Sequence, residues 1–340
     1  MLPALSYTPE GFIQMGELLD GSSSYPYLVL ISSRGGGKTY GTLKWMVETG
    51  QKFIYFRRTK QILDIISDKA YQPFKPLNND LGWDIQPKTG RGLTSLIDCR
   101  RPDQPVIGHM AALSTFSNVR GFDASDITVM VWDEFIPEPS DRITFNMFSA
   151  WTHAIETVGR NRELLGKPPV RVIMLSNSDL IYGDVVSGFR IGDELLRMQE
   201  TGTEVLEHSR DMLLVMPALE DFTASKSDTA LYRLTAGSDF ADVALHNKFP
   251  IEDRSQIGSR PLVEYVPICV VCGVCIYRHK SGRRYYCSRH VSGNPPVYKD
   301  SKTDLRRFHK QHMGLLGAYL KKRIDYESID VQTVIRKIFS

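Results

Sequence analysis

An α/β fold built on a parallel sheet is predicted for residues 1–216, because short apolar runs alternate there with helix-like stretches. The apolar runs are rich in β-branched and aromatic residues and span residues 27–31, 53–56, 127–132 and 170–175. Helical patterns occur at residues 39–49 and 145–158. Continuous apolar strands, without polar alternation, are typical of parallel sheets that are covered on both faces.

Two later features complete the predicted organisation. A β-hairpin inserted into the sheet domain is predicted by strand-like runs at residues 92–100 and 106–113. A polar, helix-capable stretch then predicts a linker at residues 217–256. The remaining residues, 257–340, predict a small α+β domain, with strand-like runs at 262–277 and 284–287 and helical patterns at 305–323 and 329–338.

Composition excludes several classes of protein. The 340 residues are 42% apolar and 24% charged, which is typical of a globular chain long enough for two domains and excludes disordered, collagen-like and disulfide-scaffold proteins. The longest apolar stretch, residues 268–277, is far shorter than the roughly 20 residues of a membrane helix, and no signal-like segment opens the chain. An intracellular protein is expected, and five cysteines fit a reducing compartment.

The charge is unevenly distributed along the chain. The net charge is +3, but residues 261–340 contain 15 Lys and Arg against 6 Asp and Glu. A basic C-terminal domain indicates binding to a polyanion, although a solvated basic face without a partner fits the same count.

A phosphate-binding loop follows the first predicted strand. The order of strand, Gly-rich loop, Lys-Thr and helix is that of a Walker A element, although Ser32 occupies the position of its first glycine. Backbone N–H groups of such a loop surround the β-phosphate, Lys38 reaches the β- and γ-phosphates, and the Thr39 hydroxyl binds magnesium. The alternative is a Gly-rich turn that precedes Lys-Thr by chance. The predicted ATP-binding residues are Ser33, Arg34, Gly35, Gly36, Gly37, Lys38 and Thr39.

A pair of carboxylates ends the third predicted strand. Asp133 is predicted to hold Mg²⁺ through water, and Glu134 to polarise the water that attacks ATP. Two acids that merely cap a strand are the alternative. This pair separates ATP-hydrolysing enzymes from the many other proteins with a phosphate-binding loop.

Two further polar residues are catalytic candidates. Asn177 follows the fourth predicted strand, at the sheet edge where ligands bind, and is predicted to sense the γ-phosphate. A plain strand-ending turn remains the alternative. Arg160 lies at the end of a helical stretch and is a candidate arginine finger for a neighbouring subunit, although it could equally neutralise a helix C-terminus.

The combined motifs resemble those of the DNA-packaging ATPases of small podoviruses of the Picovirinae type. The motifs that carry the resemblance are Ser33-Arg34-Gly35, Gly37-Lys38, Phe53-Ile54-Tyr55, Arg57-Arg58, Lys60, Asp133-Glu134-Phe135-Ile136, Arg160-Asn161-Arg162 and Leu175-Ser176-Asn177. The resemblance covers most of the first 180 residues and is weaker beyond them. These proteins are related to large terminases.

The resemblance implies an ASCE-type P-loop ATPase that translocates double-stranded DNA into a procapsid. It implies a homo-oligomeric ring, with five subunits, docked transiently on the portal vertex in the host cell cytoplasm, and a scaffold RNA as a further partner. Glu134 would then hydrolyse ATP, Arg160 would act in trans, and Asn177 would couple nucleotide state to motion. Lys60 by resemblance, and Arg283 and Arg284 by charge, are predicted to contact nucleic acid, against the alternative of solvated cations.

The C-terminal domain is expected to resemble a vestigial RNase H-like nuclease without activity. A two-metal nuclease needs carboxylates clustered at strand ends. Here the first C-terminal strand offers only Glu264, and the other acids are predicted in loops or helices: Asp300, Asp304, Asp325 and Glu327. The alternative is a large terminase with an active C-terminal nuclease.

The C-terminal cysteines invite a zinc hypothesis. Cys269, Cys272 and Cys275, with Cys287 and His290, are residue types that bind zinc. On one straight strand, however, the first three cysteines would alternate between faces, so buried apolar cysteines are the preferred interpretation. The competing hypothesis is a zinc-stabilised nucleic-acid-binding protein with a nucleotide switch.

Overall fold

The computed structural model of the chain describes residues 2–90, 92–119, 121–138, 141, 143–178, 181, 183–238, 241, 245, 249 and 255–339. The chain divides into two compact units, each with its own sheet. The first unit comprises Met1–Leu180 and Leu195–Pro250, and the second comprises Ile181–Glu194 and Ile251–Ser340. Among the described helices, none has the length and apolar character needed to span a membrane.

A nine-stranded sheet forms the centre of the first unit. Its strands are β1 (Tyr27–Ile31), β2 (Phe53–Arg57), β3 (Ile85–Thr89), β4 (Thr94–Asp98), β5 (Val106–Ala112), β6 (Val129–Asp133), β7 (Arg171–Ser176), β8 (Val205–Ser209) and β9 (Met212–Val215). They lie in the order β3-β4-β5-β2-β6-β7-β1-β9-β8. The six consecutive strands β5-β2-β6-β7-β1-β9 are parallel to one another. The other three strands, β3, β4 and β8, are antiparallel to their neighbours. The predicted parallel α/β sheet is therefore confirmed.

The described helices flank the two sheets. They are α1 (Met15–Gly21), α2 (Lys38–Glu48), α3 (Lys60–Ile66), α4 (Lys75–Leu81), α5 (Met147–Gly159), α6 (Asp184–Phe189), α7 (Gly192–Thr201), α8 (Glu220–Ser227), α9 (Ala230–Leu234), α10 (Lys302–Gln311), α11 (Met313–Leu320) and α12 (Ile329–Phe339). Local sequence sets several of their ends. Asn146 caps α5, because its side chain accepts a hydrogen bond from the backbone N–H of Ser149 at 2.8 Å.

Aromatic packing fixes the acidic strand against helix α5. All five residues of β6 are buried. The Trp151 ring of α5 lies 5.0 Å from that of Trp132 and 5.2 Å from that of Phe56, measured between centroids. Fully buried aromatic contacts of this kind contribute both apolar burial and preferred ring geometry. They hold the strand that ends at Asp133 firmly in the sheet.

The predicted hairpin is part of the main sheet and is not an insertion into it. β4 and β5 pair antiparallel, as predicted, but β5 also pairs parallel with β2. β5 is consequently a member of the main sheet, and β3 and β4 extend its edge. The sequence signal was correct for pairing, but a turn motif does not show which other strand a hairpin will join.

The second unit contains a mixed five-stranded sheet. Its strands are β10 (Tyr265–Val271), β11 (Val274–His279), β12 (Tyr285–Ser288), β13 (Val297–Tyr298) and β14 (Ile324–Tyr326). The order is β13-β10-β11-β12-β14, with the three central strands antiparallel and both edge strands parallel to their neighbours. One face of this sheet packs on an apolar cluster that includes Phe308 of α10 and Ile335 of α12.

The single strand predicted at residues 262–277 is wrong. A turn at Cys272 and Gly273, with φ of 47° and 74°, divides the run into the antiparallel pair β10 and β11. Positive φ at both central residues is the geometry of a two-residue hairpin turn. The apolar run concealed this turn because cysteine is not a residue that predicts it.

The interpretation that the cysteines are buried and apolar was based on one straight strand. Because the run forms two strands, that interpretation must rest on where each cysteine lies. Cys269 and Cys287 are buried in the cluster on one face of the sheet, and Cys275 is buried in the cluster on the other. Burial raises the pKa of Cys269 to about 12, with a smaller contribution from Cys275, so its thiol stays protonated. Across the described residues, no three His, Cys, Asp or Glu side chains are grouped so that they could hold a metal ion.

The domain boundaries differ from the predicted ones in two places. The predicted linker, residues 217–256, lies largely in the first unit, which extends to Pro250. Residues 181–194 belong instead to the second unit, although their sequence position lies within the predicted ATPase domain. In that unit, Lys337 of α12 forms an ion pair with Asp184 at 2.8 Å, and Asp193 accepts a hydrogen bond from the Ile329 N–H at 3.1 Å. Contacts between residues so distant in sequence leave no local signal.

Asp325 was predicted in a loop or helix, but it lies in β14 and is 3% exposed. Its carboxylate accepts hydrogen bonds from Arg284 at 2.7 Å and from Arg260 at 3.2 Å. A buried carboxylate must be paired in this way to offset the loss of its hydration. Arg284, a predicted nucleic-acid contact, is thus also a structural partner.

We expect Asp325→Ala to lower the free energy of unfolding by about 2 kcal/mol, because it removes the buried partner of two partly exposed arginines. Chemical denaturation of the full chain, followed by circular dichroism, measures the change. Asp300→Ala is the matched control, since Asp300 is exposed. Equal stability of the two variants would contradict the role assigned to Asp325.

Candidate functional site

The Gly-rich loop connects β1 to α2 as predicted. Ser32 is buried, its backbone φ is not positive, and its N–H donates to the Ser176 carbonyl at 3.1 Å. Serine is therefore tolerated where the Walker A pattern has its first glycine. Gly35 and Gly37 adopt φ of 87° and 88°, a region that favours glycine.

The loop is covered by the segment that follows β9. A Cβ atom on Gly36 would lie 2.3 Å from Leu219 Cδ1, and the Lys226 side chain donates to the Arg34 carbonyl. Phe222 of α8 contacts the Phe12 ring, with centroids 5.3 Å apart. The sequence analysis assigned this region to a linker, yet α8 packs directly on the phosphate-binding loop.

Lys38 and Asn177 are brought together at the carboxyl edge of the sheet. Lys38 is 7% exposed, and its Nζ donates to Asn177 Oδ1 at 2.6 Å. The same Nζ lies 3.3 Å from the Ser33 carbonyl and 3.4 Å from the Ser32 carbonyl. The ammonium group of Lys38 is thus held over the loop in the position where it can meet a phosphate.

Thr39 and Asp133 meet in the same place. Thr39 Oγ1 donates to Asp133 Oδ2 at 3.0 Å, and Asp133 is 4% exposed. A hydroxyl beside a carboxylate supplies the hard oxygen ligands that Mg²⁺ prefers. Ser33 Oγ is buried and has no hydrogen-bond partner within the described part of the chain, which fits a loop shaped for a phosphate oxygen. These residues therefore fit a magnesium–nucleotide complex.

Arg57 connects the two carboxylates of the acidic pair. Its Nη2 forms an ion pair with Glu134 and its Nη1 lies 3.5 Å from Asp133 Oδ2. Burial alone would lower the pKa of Arg57, but Tyr55 and the two carboxylates raise it above its usual value. Burial, followed by the charge of Asp133, holds the pKa of Tyr55 well above its usual value, so its phenol remains a donor.

Glu134 is exposed to a small cavity at the edge of the sheet. Its backbone has φ of 57°, which is uncommon for a residue other than glycine, and 49% of its side chain is accessible. The cavity has a volume of about 200 Å³ and is lined by Glu134, Asn177, Arg58, Ile62, Glu138 and Asp141. It has room for a water molecule beside the carboxylate, as a general base requires.

The neighbouring arginines brace this cavity. Arg58 is 4% exposed, forms an ion pair with Asp141, and donates to the Glu134 carbonyl at 3.2 Å. Arg34 of the loop forms an ion pair with Glu138 at 2.7 Å. Both acidic partners follow the acidic pair in sequence, so the chain beyond β6 folds back over the loop.

The hydrogen bonds of the Arg160 side chain go to residues outside the phosphate-binding loop and the acidic pair. It is exposed, and it donates to the carbonyls of Thr157 at 3.2 Å and Phe122 at 3.1 Å. Its backbone has φ of 44° at the end of α5. An exposed guanidinium at this position is accessible to a neighbouring molecule.

The predicted nucleic-acid residues belong to different units. Lys60 begins α3 and forms an ion pair with Asp64, at a side-chain exposure of 49%. Arg283 is exposed and lies in the second unit, next to Arg284. Their charges are available to solvent, and their role remains a prediction.

A second cavity beside the loop was not predicted from the sequence. It has a volume of about 570 Å³ and lies between the N-terminal segment and α2. Its lining includes Phe12, Gln14, Gly37, Tyr40 and Trp45. A short bridge between Tyr7 and Ile13 places the N-terminal segment there. Apolar walls with a few polar groups are typical of a pocket for a small organic ligand.

Comparisons with known proteins match this chain to a family and to a fold. The profile of a family described as podovirus DNA encapsidation protein (Gp16) matches residues 13–265. The DNA packaging protein of Bacillus phage phi29 is 25% identical in an alignment of 253 residues that covers 72% of this chain and 66% of that protein. This chain thus spans slightly less than two thirds of that relative's length.

Two solved structures share the fold. A chain of the bacteriophage phi29 viral genome packaging motor assembly matches with a TM-score of 0.62 at 20% identity, covering 99% of each chain. A chain of the Phi-28 gp11 DNA packaging motor matches with a TM-score of 0.58 at 17% identity, covering 92% of this chain and 93% of its own. Identities this low show a common fold.

We expect Ser33→Ala to change the free energy of unfolding by less than about 0.5 kcal/mol, because the buried Ser33 hydroxyl makes no hydrogen bond with the described residues. The control is Ser176→Ala, which leaves the buried Ile136 N–H without its 3.1 Å acceptor and should cost about 1–2 kcal/mol. Denaturation without nucleotide measures both changes. A loss for Ser33→Ala as large as the control would show that its hydroxyl has a structural partner.

Proposed function

Because the chain belongs to the podovirus DNA encapsidation protein (Gp16) family, we propose that it is the ATPase of a viral genome-packaging motor. The motor couples ATP hydrolysis to the translocation of double-stranded DNA into a procapsid through its portal. The observation that carries this proposal is the meeting of the phosphate-binding loop with the acidic pair, where Thr39 lies 3.0 Å from Asp133. ATP and Mg²⁺ are the proposed cofactors.

The proposed site binds ATP through groups that the fold already holds in place. The loop amides and Lys38 bind the phosphates at the start of α2. Thr39 and Asp133 would hold Mg²⁺, which would supply charge stabilisation at the phosphates. The cavity beside Phe12 receives the nucleobase and ribose, since it adjoins Gly37 and has a largely apolar wall.

Glu134 is the proposed general base. Its carboxylate faces the cavity beside Asn177, where it can accept a proton from the attacking water. Arg57 forms an ion pair with Glu134 in this structure, so activation of water requires that this pair opens. Asn177, hydrogen-bonded to Lys38, is proposed to report the presence of the γ-phosphate to β7.

Arg160 is proposed to act on the ATP of a neighbouring subunit. It is exposed and its hydrogen bonds lead to carbonyls outside the loop and the acidic pair. A guanidinium from a neighbour would stabilise the charge that develops on the phosphoryl group. This role requires a ring, for which we propose five subunits docked transiently on the portal in the host cell cytoplasm.

The second unit is proposed to bind rather than cut nucleic acid. Its basic balance, with Arg283 among its exposed cations, suits phosphates of DNA or of a scaffold RNA. Asp325, a strand carboxylate that a metal-dependent nuclease could use, is committed to Arg260 and Arg284. This engagement supports a nuclease-like domain without cleavage activity.

Glu134→Gln should reduce ATP turnover by at least about 100-fold, because the amide cannot accept the proton of the attacking water. Binding of a fluorescent ATP analogue should change less than threefold. Glu156→Gln, on the exposed surface of α5, is the control and should retain full turnover. Unchanged turnover in Glu134→Gln would exclude Glu134 as the general base.

Mixed rings test the trans role of Arg160. If each Arg160→Ala subunit inactivates the site of its neighbour, turnover falls more steeply than the fraction of variant subunits. Titration of wild-type protein with the variant, at constant total concentration and with DNA present, measures this dependence. A fall in simple proportion to dilution would place Arg160 outside the neighbour's site.

Asn177→Ala should leave nucleotide affinity within about threefold, because Lys38 keeps its place at the loop through two carbonyls. Turnover should fall about tenfold or more, since the proposed γ-phosphate contact is lost. Steady-state kinetics and analogue binding separate the two effects. An equal loss of binding and turnover would instead indicate that Asn177 only supports Lys38.

A further inference from the structure

We propose that Tyr55 is a positioning residue of the nucleotide site. Its phenol fixes the Asp133 carboxylate in the orientation that serves Mg²⁺ and keeps the neighbouring Arg57 on Glu134. The inference rests on the proposed ATPase function, because it concerns the residue that would hold the metal of that site.

Tyr55 reaches Asp133 because of the register of the sheet. Tyr55 on β2 lies opposite Val131 on β6, and Asp133 follows Val131 by two residues on the same face. The Tyr55 side chain is 1% exposed and packs within the main apolar cluster. Its hydroxyl donates to Asp133 Oδ2 at 2.6 Å, the shorter of the two hydroxyl contacts of that oxygen.

The two carboxylate oxygens of Asp133 accept hydrogen bonds from different donors. Oδ2 accepts from Tyr55 and from Thr39, and Arg57 lies 3.5 Å away. Oδ1 accepts from the Glu134 N–H at 3.1 Å. Because each carboxylate oxygen has two lone pairs, the two hydroxyls occupy Oδ2, and Oδ1 keeps acceptor capacity for a metal-bound water. Tyr55 thereby helps to leave Oδ1 as the Asp133 oxygen that would accept from a water of the proposed metal site.

Tyr55 also influences which of the two carboxylates the Arg57 guanidinium contacts. Arg57 Nη1 lies 3.4 Å from the Tyr55 hydroxyl, while Nη2 forms the ion pair with Glu134. The Asp133 side chain is only 5% exposed, against 49% for Glu134, so the buried carboxylate is the stronger electrostatic attraction. Without the phenol, Arg57 is drawn towards Asp133, and its charge then competes with Mg²⁺ for that carboxylate.

Apolar packing does not account for a phenol at this position. Phenylalanine would fill the same core without the cost of burying a hydroxyl, so the hydroxyl contributes only through its polar contacts. Both of its contacts are with the acidic pair and its arginine. The conserved shape of a Tyr55→Phe substitution makes it a direct test of the hydroxyl.

The test measures metal binding separately from turnover. Mn²⁺ binding to the protein with a nonhydrolysable ATP analogue is followed by electron paramagnetic resonance, and analogue binding is also measured in excess chelator. Tyr55→Phe should weaken Mn²⁺ binding about tenfold, the effect of a lost hydrogen bond to a charged group. Binding of the analogue without metal should stay within twofold. The control is Tyr25→Phe, because Tyr25 also donates to a carboxylate, Glu207, in the same unit.

Two outcomes would overturn the positioning role. One is unchanged Mn²⁺ affinity in Tyr55→Phe, and the other is an equal loss of analogue binding in chelator, which would show general damage to the site. A double variant tests whether Tyr55 acts through Asp133. Adding Tyr55→Phe to Asp133→Asn should cause no further loss of Mn²⁺ affinity. A full additional loss would show that Tyr55 does not act through Asp133. If the wild type itself binds nucleotide without metal dependence, the ATPase proposal fails first, which distinguishes the two failures.

Discussion

The buried charge of Asp133 is the constraint on which the site depends. A carboxylate loses its hydration when it is buried, so it needs hydrogen-bond donors from the protein. These donors come from the first turn of α2, from the middle of β2 and from the next peptide of its own chain, through Thr39, Tyr55 and Glu134. Because Thr39 and Tyr55 are distant from Asp133 in sequence, two of these three donors are supplied only when the sheet is assembled. Fold and site therefore form together.

The predicted site residues that the structure brings together are those with local sequence signals. A Gly-rich loop between a strand and a helix, and an apolar strand that ends in Asp133 and Glu134, each occupy a few consecutive residues. Parallel strands place their carboxyl ends at one edge, so Asn177 was also expected there. The structure brings it to Lys38, at 2.6 Å.

The remaining features depend on pairings that leave no local pattern. Tyr55 has the sequence context of an ordinary core residue, and only the register of β2 with β6 reveals its contact with Asp133. The turn at Cys272 was hidden in an apolar run. Residues 181–194 join the second unit through contacts with α12, more than a hundred residues later. The segment containing Phe222 lacked any motif that would place it on the loop.

The hydrogen bond between Lys38 and Asn177 has a consequence for how the site responds to its ligand. The ammonium group of Lys38 has the amide oxygen of Asn177 as its partner at 2.6 Å. Under the proposed function, a triphosphate would compete with that amide for the same cation, and Asn177 would exchange Lys38 for another partner. The residue that follows β7 would then respond to the nucleotide by a change of hydrogen-bond partner, and the change would reverse when the phosphate leaves.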